Sequence, residues 1–180
     1  YQCNIAHTSN VEYLALTLYD SLKKFHGLGK RERLFLQIAV ILHSCGEFIN
    51  MNEVNLHSYH IVMSTEIIGL SHLERELIAN LVRYTTTNFP RYSRIIDGLD
   101  KDTYITLAKL TAILRLANSL DKSHRQKFKN IQVQIKENSL YIITNTLDDI
   151  TLEKGLFIKK ADFFEEVYGI RPILKQKRSI

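Results

Sequence analysis

The 180-residue chain lacks the features that mark disulfide-rich proteins and membrane proteins. It has only two cysteines, Cys3 and Cys45, and they show no paired spacing of the kind found in zinc ribbons or redox motifs. So few cysteines make no disulfide framework, and we therefore expect a cytoplasmic protein. Every apolar run is interrupted before it reaches the roughly 20 residues that a bilayer-spanning helix needs. These absences exclude a cross-linked scaffold and predict a chain without a membrane span.

Glycine-rich phosphate loops, internal repeats and low-complexity segments are also missing from the sequence. The chain begins at Tyr1, and the residues that follow have neither the charged region nor the apolar region of a signal peptide. We therefore interpret the chain as a fragment of a longer protein.

The charge balance is modestly basic. The net charge is +5, because 24 Lys and Arg residues outnumber 19 Asp and Glu residues. Such an excess is compatible with a phosphate-rich partner and equally compatible with a domain that binds no polyanion. Hydrophobic residues make up 45% of the chain, which at this length is enough for a folded core. Composition therefore indicates a globular protein and leaves its partner open.

Apolar residues recur at spacings of three and four through about residue 126, which predicts a bundle of helices. We expect the first helix to end at Gly27 and Gly29. The second helix is apolar on nearly every side, which predicts a central, buried position. The predicted core stripes contain Val11, Leu14, Leu18, Leu22 and Phe25 in the first helix, Leu34, Ile38, Ile41 and Leu42 in the second, and Ile105, Leu110, Ile113, Leu114, Ala117 and Leu120 in the last.

Local signals predict where several helices begin. Residues 50–56 read as a loop, and residues 58–68 as a short helix. Ser71 and Glu74 have the spacing of a capping box, in which each side chain accepts a backbone N–H of the other residue. Before the last helix of the bundle, Asp100 or Asp102 can act as the N-cap.

The period changes from helical to alternating after Lys129. The pattern predicts strands over residues 131–136, 140–144 and 171–175, with a helix over residues 152–168 before the last strand. The fold class is therefore mainly α, with a helical domain over residues 1–126 followed by a small α+β domain, of order β-β-α-β, over residues 127–180.

Several short strings, taken in order, resemble the C-terminal half of the exopolyphosphatase and guanosine pentaphosphate phosphohydrolase (Ppx/GppA) family. The matching strings are residues 39–43 (AVILH), 46–50 (GEFIN), 56–61 (LHSYHI), 69–76 (GLSHLERE) with 82–84 (VRY), and 114–121 (LRLANSLD). They follow the family's order and are spread between residues 39 and 121, and the β-β-α-β tail resembles the small unit that closes these proteins.

The resemblance implies a helical domain similar to HD-type metal phosphohydrolases. It also implies that catalysis, with Mg²⁺, belongs to an N-terminal catalytic half that this chain lacks. The substrate of the whole protein would be polyphosphate or guanosine pentaphosphate, and the resemblance does not choose between them. We expect a homodimer, no sequence-specific contact with nucleic acid, and no cofactor in this fragment.

The HD metal pattern is incomplete in this chain. Its six positions fall on His7, His43, Ser44, His57, Thr85 and Asn118. Ser44 and Asn118 stand where the pattern has its two carboxylates, so a two-metal hydrolytic centre has no bridging anionic oxygen. We therefore expect no metal and no catalytic residue in the fragment. Two alternatives stay open: a single zinc held by the three remaining histidines, and a stand-alone HD-type metal-dependent phosphohydrolase.

Three neighbouring residues carry further expectations. Asp121 and Glu47 are the carboxylates closest to the incomplete pattern, and for Asp121 we expect an ion pair with Arg115 or Lys122. Cys45 reads as a small buried hydrophobe, because His43 lies only two helical positions away and points in another direction.

Basic side chains form three clusters, at the start of the second helix, in the loop after residue 90 and before the first strand. The candidate polyanion ligands are Lys30, Arg31, Arg33, Arg91, Arg94, Lys122, Arg125 and Lys127. Lys and Arg side chains neutralise a chain of phosphates without reading any sequence. The sequence thus predicts a non-catalytic region that binds a phosphate polyanion, mediates dimerisation, or does both. The remaining alternative is an interaction module without phosphate affinity.

Overall fold

The computed structural model describes residues 4–92 and 99–177. Its elements are α1 (Ile5–Ser21), α2 (Lys23–His26), α3 (Lys30–Leu42), a short 3₁₀ helix (Cys45–Phe48), α4 (Val54–Ser64), α5 (His72–Arg83), α6 (Lys101–Leu120), β1 (Ile131–Lys136), β2 (Ser139–Thr144), α7 (Thr151–Tyr168) and β3 (Arg171–Gln176). The order confirms the predicted class, a mainly α chain that ends in a small α+β unit. Within the described ranges, every helix is too short or too polar to cross a bilayer.

The chain divides into two compact units. The first unit contains residues Leu28–Thr111, and the second contains Ile5–Gly27 together with the chain from Ala112 onward. Helix α6 therefore contributes its first half to one unit and its second half to the other. The predicted domain boundary between residues 126 and 127 stays a prediction.

The first unit is built on the packing of α3 and α4 against α5. Leu36, Val40 and Ile78 are fully buried there. The prediction that the second helix is central, with Leu34 and Ile41 in its buried stripe, is wrong at these two residues, which are 38% and 45% exposed. Helix α3 contacts α5 along one side, and its opposite side keeps apolar residues at the surface.

The predicted starts of three helices have different outcomes in the first unit. Ser71 caps α5 in the predicted capping box with Glu74, and Asp100 accepts the N–H groups of residues 102 and 103 before α6. Helix α4, however, begins at Val54 rather than at residue 58. Its N-cap is Glu53, which has a left-handed φ of 56° and makes no side-chain capping bond. The usual N-cap signal is therefore absent from the sequence.

In the second unit, α1 buries the predicted stripe except at its end. Phe25 is 44% exposed. The helix breaks after Ser21, and His26 takes the buried place by donating from Nε2 to the backbone oxygen of Tyr19 at 2.9 Å. The last turn then closes at Gly27, which has a left-handed φ of 66°.

The second unit also contains a three-stranded sheet of order β1-β2-β3. Strands β1 and β2 pair antiparallel across a tight turn at Glu137 and Asn138, whose positive φ values of 47° and 65° are those of a type I′ hairpin. Helix α7 connects β2 to β3, which pair in parallel, and it packs against β3. Pro172 lies on the edge strand, where its missing N–H costs no ladder bond. Gly169 ends α7 with a left-handed φ of 70°, as predicted.

Candidate functional site

The junction after α3 contains two of the HD-pattern positions, His43 and Ser44. Hydrogen bonds between uncharged groups hold this junction together. His43 is buried and donates from Nδ1 to the backbone oxygen of Val40 at 2.6 Å. The Ser58 hydroxyl donates to the backbone oxygen of His43 at 3.3 Å and accepts the N–H of Gly46 at 2.8 Å. Ser44 is also buried, at 7% exposure. This junction contains no carboxylate at the position where the HD pattern has one.

The other positions near this junction have ordinary structural surroundings. Thr85 is buried and donates its hydroxyl to the backbone oxygen of Leu81 at 3.0 Å. His57 is half-buried, and Glu47 is exposed. Cys45 is buried, as its interpretation as a small hydrophobe requires. Within residues 4–92 and 99–177, no three His, Cys, Asp or Glu side chains are grouped closely enough to hold a metal ion. The single-zinc alternative therefore has no support in that part of the chain.

In the second unit, the histidine of α1 is paired with a carboxylate. His7 donates from Nδ1 to Oδ2 of Asp121 at 2.8 Å, and their side chains are 5% and 0% exposed. The expected pairing of Asp121 with Arg115 or Lys122 is wrong. Helix α6 ends at Leu120, so Asp121 leaves the helical path and turns to α1 instead. Asn118, the HD position three residues earlier, is half-buried on α6.

Asp121 also fixes the backbone that follows it. Its Oδ1 accepts the N–H of Gln126 at 2.7 Å. His124 and Gln126 have left-handed φ values of 54° and 48°, which cost non-glycine residues on the order of 1 kcal/mol each. The ring of His124 stacks on His7 with centroids 3.9 Å apart. The segment 121–130, called here the basic loop, is therefore held in one strained conformation by the buried carboxylate at its start.

The second half of the basic loop is anchored to α7 and to the core. Phe128 is fully buried. Lys127 donates from Nζ to the backbone oxygen of Asp149 at 2.6 Å and to Oε2 of Glu153 at 3.0 Å. Glu153 is fully buried and also accepts the Ser123 hydroxyl. Burial by itself would raise the pKa of Glu153. The hydrogen bonds from Ser123 and Lys127 have a larger combined effect, so the pKa of Glu153 is lowered.

Several basic side chains of the loop remain at the surface. Lys122, Arg125 and Lys129 are exposed. Arg125 and Lys129 border a concavity of about 330 Å³, which Asn130 and Asn145 also line. Guanidinium, ammonium and amide N–H groups are all donors to anionic oxygen. The concavity also has one carboxylate, that of Asp148. The arrangement is suited to binding part of an extended anion.

The other predicted polyanion ligands are dispersed. Arg31 makes a bidentate ion pair with Glu74, with N–O distances of 2.7 and 2.9 Å. It also donates to the backbone oxygen of Gly69 at 2.7 Å. The hydrogen bond from Arg31, together with those from the backbone N–H and the hydroxyl of Ser71, lowers the pKa of Glu74 to about 2. Of the remaining residues, Lys30 and Arg91 are exposed, Arg33 is half-buried and Arg94 lies outside the described residues.

Sequence reasoning missed Glu153, which determines the role of Lys127. Glu153 shares the buried stripe of α7 with Phe157, Ala161 and Phe164. A buried carboxylate in an apolar stripe needs a hydrogen-bonding or ionic partner, so the position of Glu153 in the sequence could have predicted such a partner. Because Lys127 supplies that partner, its ammonium is committed to the fold, whereas Arg125 and Lys129 face solvent.

Comparison with known proteins gives a family for the chain. No curated protein matches it. Residues 1–156 match the family described as Ppx/GppA phosphatase, domain III. The match includes the basic loop and its two anchors, Asp121 and Glu153, together with the incomplete HD positions. The chain therefore belongs to the Ppx/GppA phosphatase family, of which it carries domain III.

Proposed function

We propose that the chain is a non-catalytic region of an exopolyphosphatase-type protein and that its basic loop binds phosphate polyanions. The observation that carries this proposal is the contrast within the loop. Asp121, Lys127 and Phe128 are buried or paired and fix the backbone, while Arg125 and Lys129 stay exposed beside a polar concavity.

A fixed loop supports binding because less conformational entropy is lost when a ligand arrives. The strained backbone at His124 and Gln126 is already held by Asp121 in the free chain. Two exposed cations at defined positions can therefore meet successive phosphate groups without first being ordered. Contacts of this kind depend on charge rather than on sequence.

The family supports the wider part of the proposal. A domain III of a phosphatase family works with other domains, and we assign catalysis with Mg²⁺ to an N-terminal catalytic half. Ser44 and Asn118 support an inactive fragment, because neutral side chains do not bridge two hydrolytic cations. The proposed substrate is polyphosphate or guanosine pentaphosphate, and the proposed assembly is a cytoplasmic homodimer.

The test is a direct measurement of polyphosphate binding to the purified chain at low salt. We compare the wild type with the double variant Arg125→Glu and Lys129→Glu. Charge-assisted hydrogen bonds contribute about 1.5 to 3 kcal/mol each, so the double variant should bind at least about 100-fold more weakly. The matched control is Lys136→Glu, which reverses one exposed charge at the far end of β1 and should bind within a few-fold of the wild type.

Two results would contradict the proposal. One is a wild-type chain that does not bind polyphosphate at low salt, which would favour an interaction module without phosphate affinity. The other is an equal loss of affinity in the Lys136→Glu control, which would mean that only the net charge matters. Circular dichroism of all variants shows whether each one keeps the wild-type helix content.

A further inference from the structure

The three-stranded sheet of the second unit has a buried inner face and a polar outer face. Leu140 and Ile142 of β2 are fully buried on the inner face. Successive residues of a strand point to opposite sides, so the residues between them lie on the outer face. The nine positions of the outer face form three rows across β1, β2 and β3: Lys136, Ser139 and Arg171; Gln134, Tyr141 and Ile173; and Gln132, Ile143 and Lys175.

The outer face has an aromatic ring at its centre. Tyr141 is half-buried and lies in the middle row of the middle strand, between Gln134 and Ile173. The Nζ of Lys175 lies 4.1 Å from the centroid of the Tyr141 ring, in a cation–π contact. Lys175 is exposed, and its side chain is flexible. One side of the ring is thus covered by a side chain that can move away.

The outer face also carries positive charge. None of its nine positions is Asp or Glu. The Arg171 guanidinium is neutralised by two carboxylates of α7, at 2.6 and 2.7 Å. Lys136 and Lys175 are exposed, and in the part of the chain that the structure describes their ammonium groups make no ion pair. The carboxylate nearest to Lys136 in sequence is that of Glu137, in the hairpin turn. Two ammonium groups on this face are therefore available to an anion.

We propose that the outer face of the sheet binds single-stranded RNA. Proteins that bind single strands stack bases on exposed aromatic rings and contact the phosphates with basic side chains, and a β-sheet is one of the surfaces that do so. A base takes the place of the Lys175 ammonium over the Tyr141 ring, and the released ammonium contacts a neighbouring phosphate. The side-chain amides of Gln132 and Gln134 supply donors and acceptors for the 2′-hydroxyl groups.

The central ring distinguishes this ligand from polyphosphate. Polyphosphate has no π-face, so an aromatic ring offers it no stacking. Every base has a π-face, and the contact is therefore independent of base sequence. The inference goes beyond the proposed function and does not rest on it, because the outer face and the basic loop have no residue in common.

The test is fluorescence anisotropy of a labelled adenosine decamer, a single-stranded RNA, titrated with the purified chain at low salt. Tyr141→Leu removes the stacking ring and should weaken binding roughly tenfold. Tyr141→Phe keeps the ring and should bind within twofold of the wild type. Tyr59→Leu is the matched control and should also stay within twofold. The Tyr59 ring has a cation over it as well, that of Arg83 at 5.2 Å, but it lies on α4 in the first unit.

Salt dependence gives a second readout, which does not require a change at the half-buried ring. Lys175→Gln should lower the slope of log affinity against log salt by about 0.7, the value for one phosphate contact in a single strand. Lys154→Gln, which changes an exposed lysine on α7, should leave that slope as it is in the wild type. Equal slopes for the wild type and Lys175→Gln would contradict a phosphate contact on the outer face. Circular dichroism shows whether each variant keeps the wild-type fold.

Three further results would overturn the inference. They are a wild-type chain that does not bind the RNA at low salt, a Tyr141→Leu variant that binds it as the wild type does, and an equal loss in Tyr59→Leu.

Titration of the same variants with polyphosphate separates this inference from the proposed function. Tyr141→Leu should keep the wild-type affinity for polyphosphate, and an equal loss for polyphosphate and RNA would overturn stacking on the ring. Ring-dependent binding of RNA by a chain that does not bind polyphosphate would support the outer face and contradict the basic loop.

Discussion

Two histidines of the HD pattern have different partners: His43 lies at the junction after α3 in the first unit, and His7, on α1, is paired with the junction after α6 in the second unit. His43 donates to a backbone oxygen inside its own helix end, beside the neutral Ser44. His7 donates to the carboxylate of Asp121, 114 residues away in the chain. At the first junction, all of these hydrogen bonds join neutral groups. At the second junction, the Asp121 carboxylate fixes the basic loop, whose Arg125 and Lys129 side chains are exposed.

The difference shows that loss of a metal pattern has two structural consequences in one chain. In the first unit, the position without a carboxylate is filled by close packing around Gly46 and Ser58. In the second unit, a carboxylate is present but accepts from His7 and the backbone of Gln126. Only the second arrangement places exposed cations at defined positions. We therefore propose that the second unit is the one that binds the ligand.

The largest loss of stability should come from removing the ammonium of Lys127, which anchors the second half of the basic loop. Lys127→Met leaves the buried carboxylate of Glu153 without its ionic partner, and breaking such a pair costs about 3 kcal/mol. Urea unfolding measures the loss. The matched control is Lys129→Met, whose exposed ammonium should contribute no more than about 0.5 kcal/mol. Equal losses in the two variants would show that the loop has no distinction between anchoring and exposed cations.

The neutral junction can be tested by adding one methyl group. A Cβ at position 46 would lie 2.3 Å from the backbone oxygen of Val54 and 2.6 Å from the nitrogen of Ser58. Gly46→Ala should therefore lower the free energy of unfolding by about 2 kcal/mol. Gly155→Ala is the control, because a Cβ there meets nothing within 4 Å and alanine stabilises a helix by about 0.5 to 1 kcal/mol. A Gly46→Ala variant as stable as the wild type would mean that the junction is not closely packed.

Local features of both units could be predicted from the sequence because their causes are local. The capping box of Ser71 and Glu74 spans three residues, and Gly169 marks the end of α7 by its freedom to take a positive φ. The strands follow from alternation, since one face of the sheet is buried. The break between α1 and α2 was missed because no glycine or proline stands at Leu22.

The contacts that make the candidate site could not be predicted in the same way. The partner of Asp121 depends on where α6 stops, and a spacing rule that assumes a continuous helix gives Arg115 or Lys122 instead of His7. The role of Lys127 depends on Glu153, which comes close only after α7 has folded back. Sequence therefore identified the basic segment, while the tertiary structure separated its anchoring residues from its exposed ones.

The smallest expected effect on stability comes from the ion pair between Arg31 and Glu74 in the first unit, which is partly exposed. The pKa of Glu74 is lowered from 4.5 to about 2, chiefly by Arg31, so its contribution to stability is complete above pH 4.5. That contribution is lost as the pH falls from 4.5 to about 2. The difference in unfolding free energy between the wild type and Glu74→Gln should be constant near neutral pH and shrink across this window. A difference that does not change with pH would show that the Glu74 carboxylate is not stabilised by Arg31.

The most direct test of the account is the affinity of the chain for polyphosphate when one junction at a time is altered. Asp121→Asn removes the charge that holds the basic loop while leaving Arg125 and Lys129 in the sequence, and Ser44→Ala alters the neutral junction. We predict that Asp121→Asn weakens binding at least roughly tenfold, because the loop loses its fixed conformation, and that Ser44→Ala binds as the wild type does. Equal affinities for the wild type and Asp121→Asn, or an equal loss in Ser44→Ala, would contradict the account.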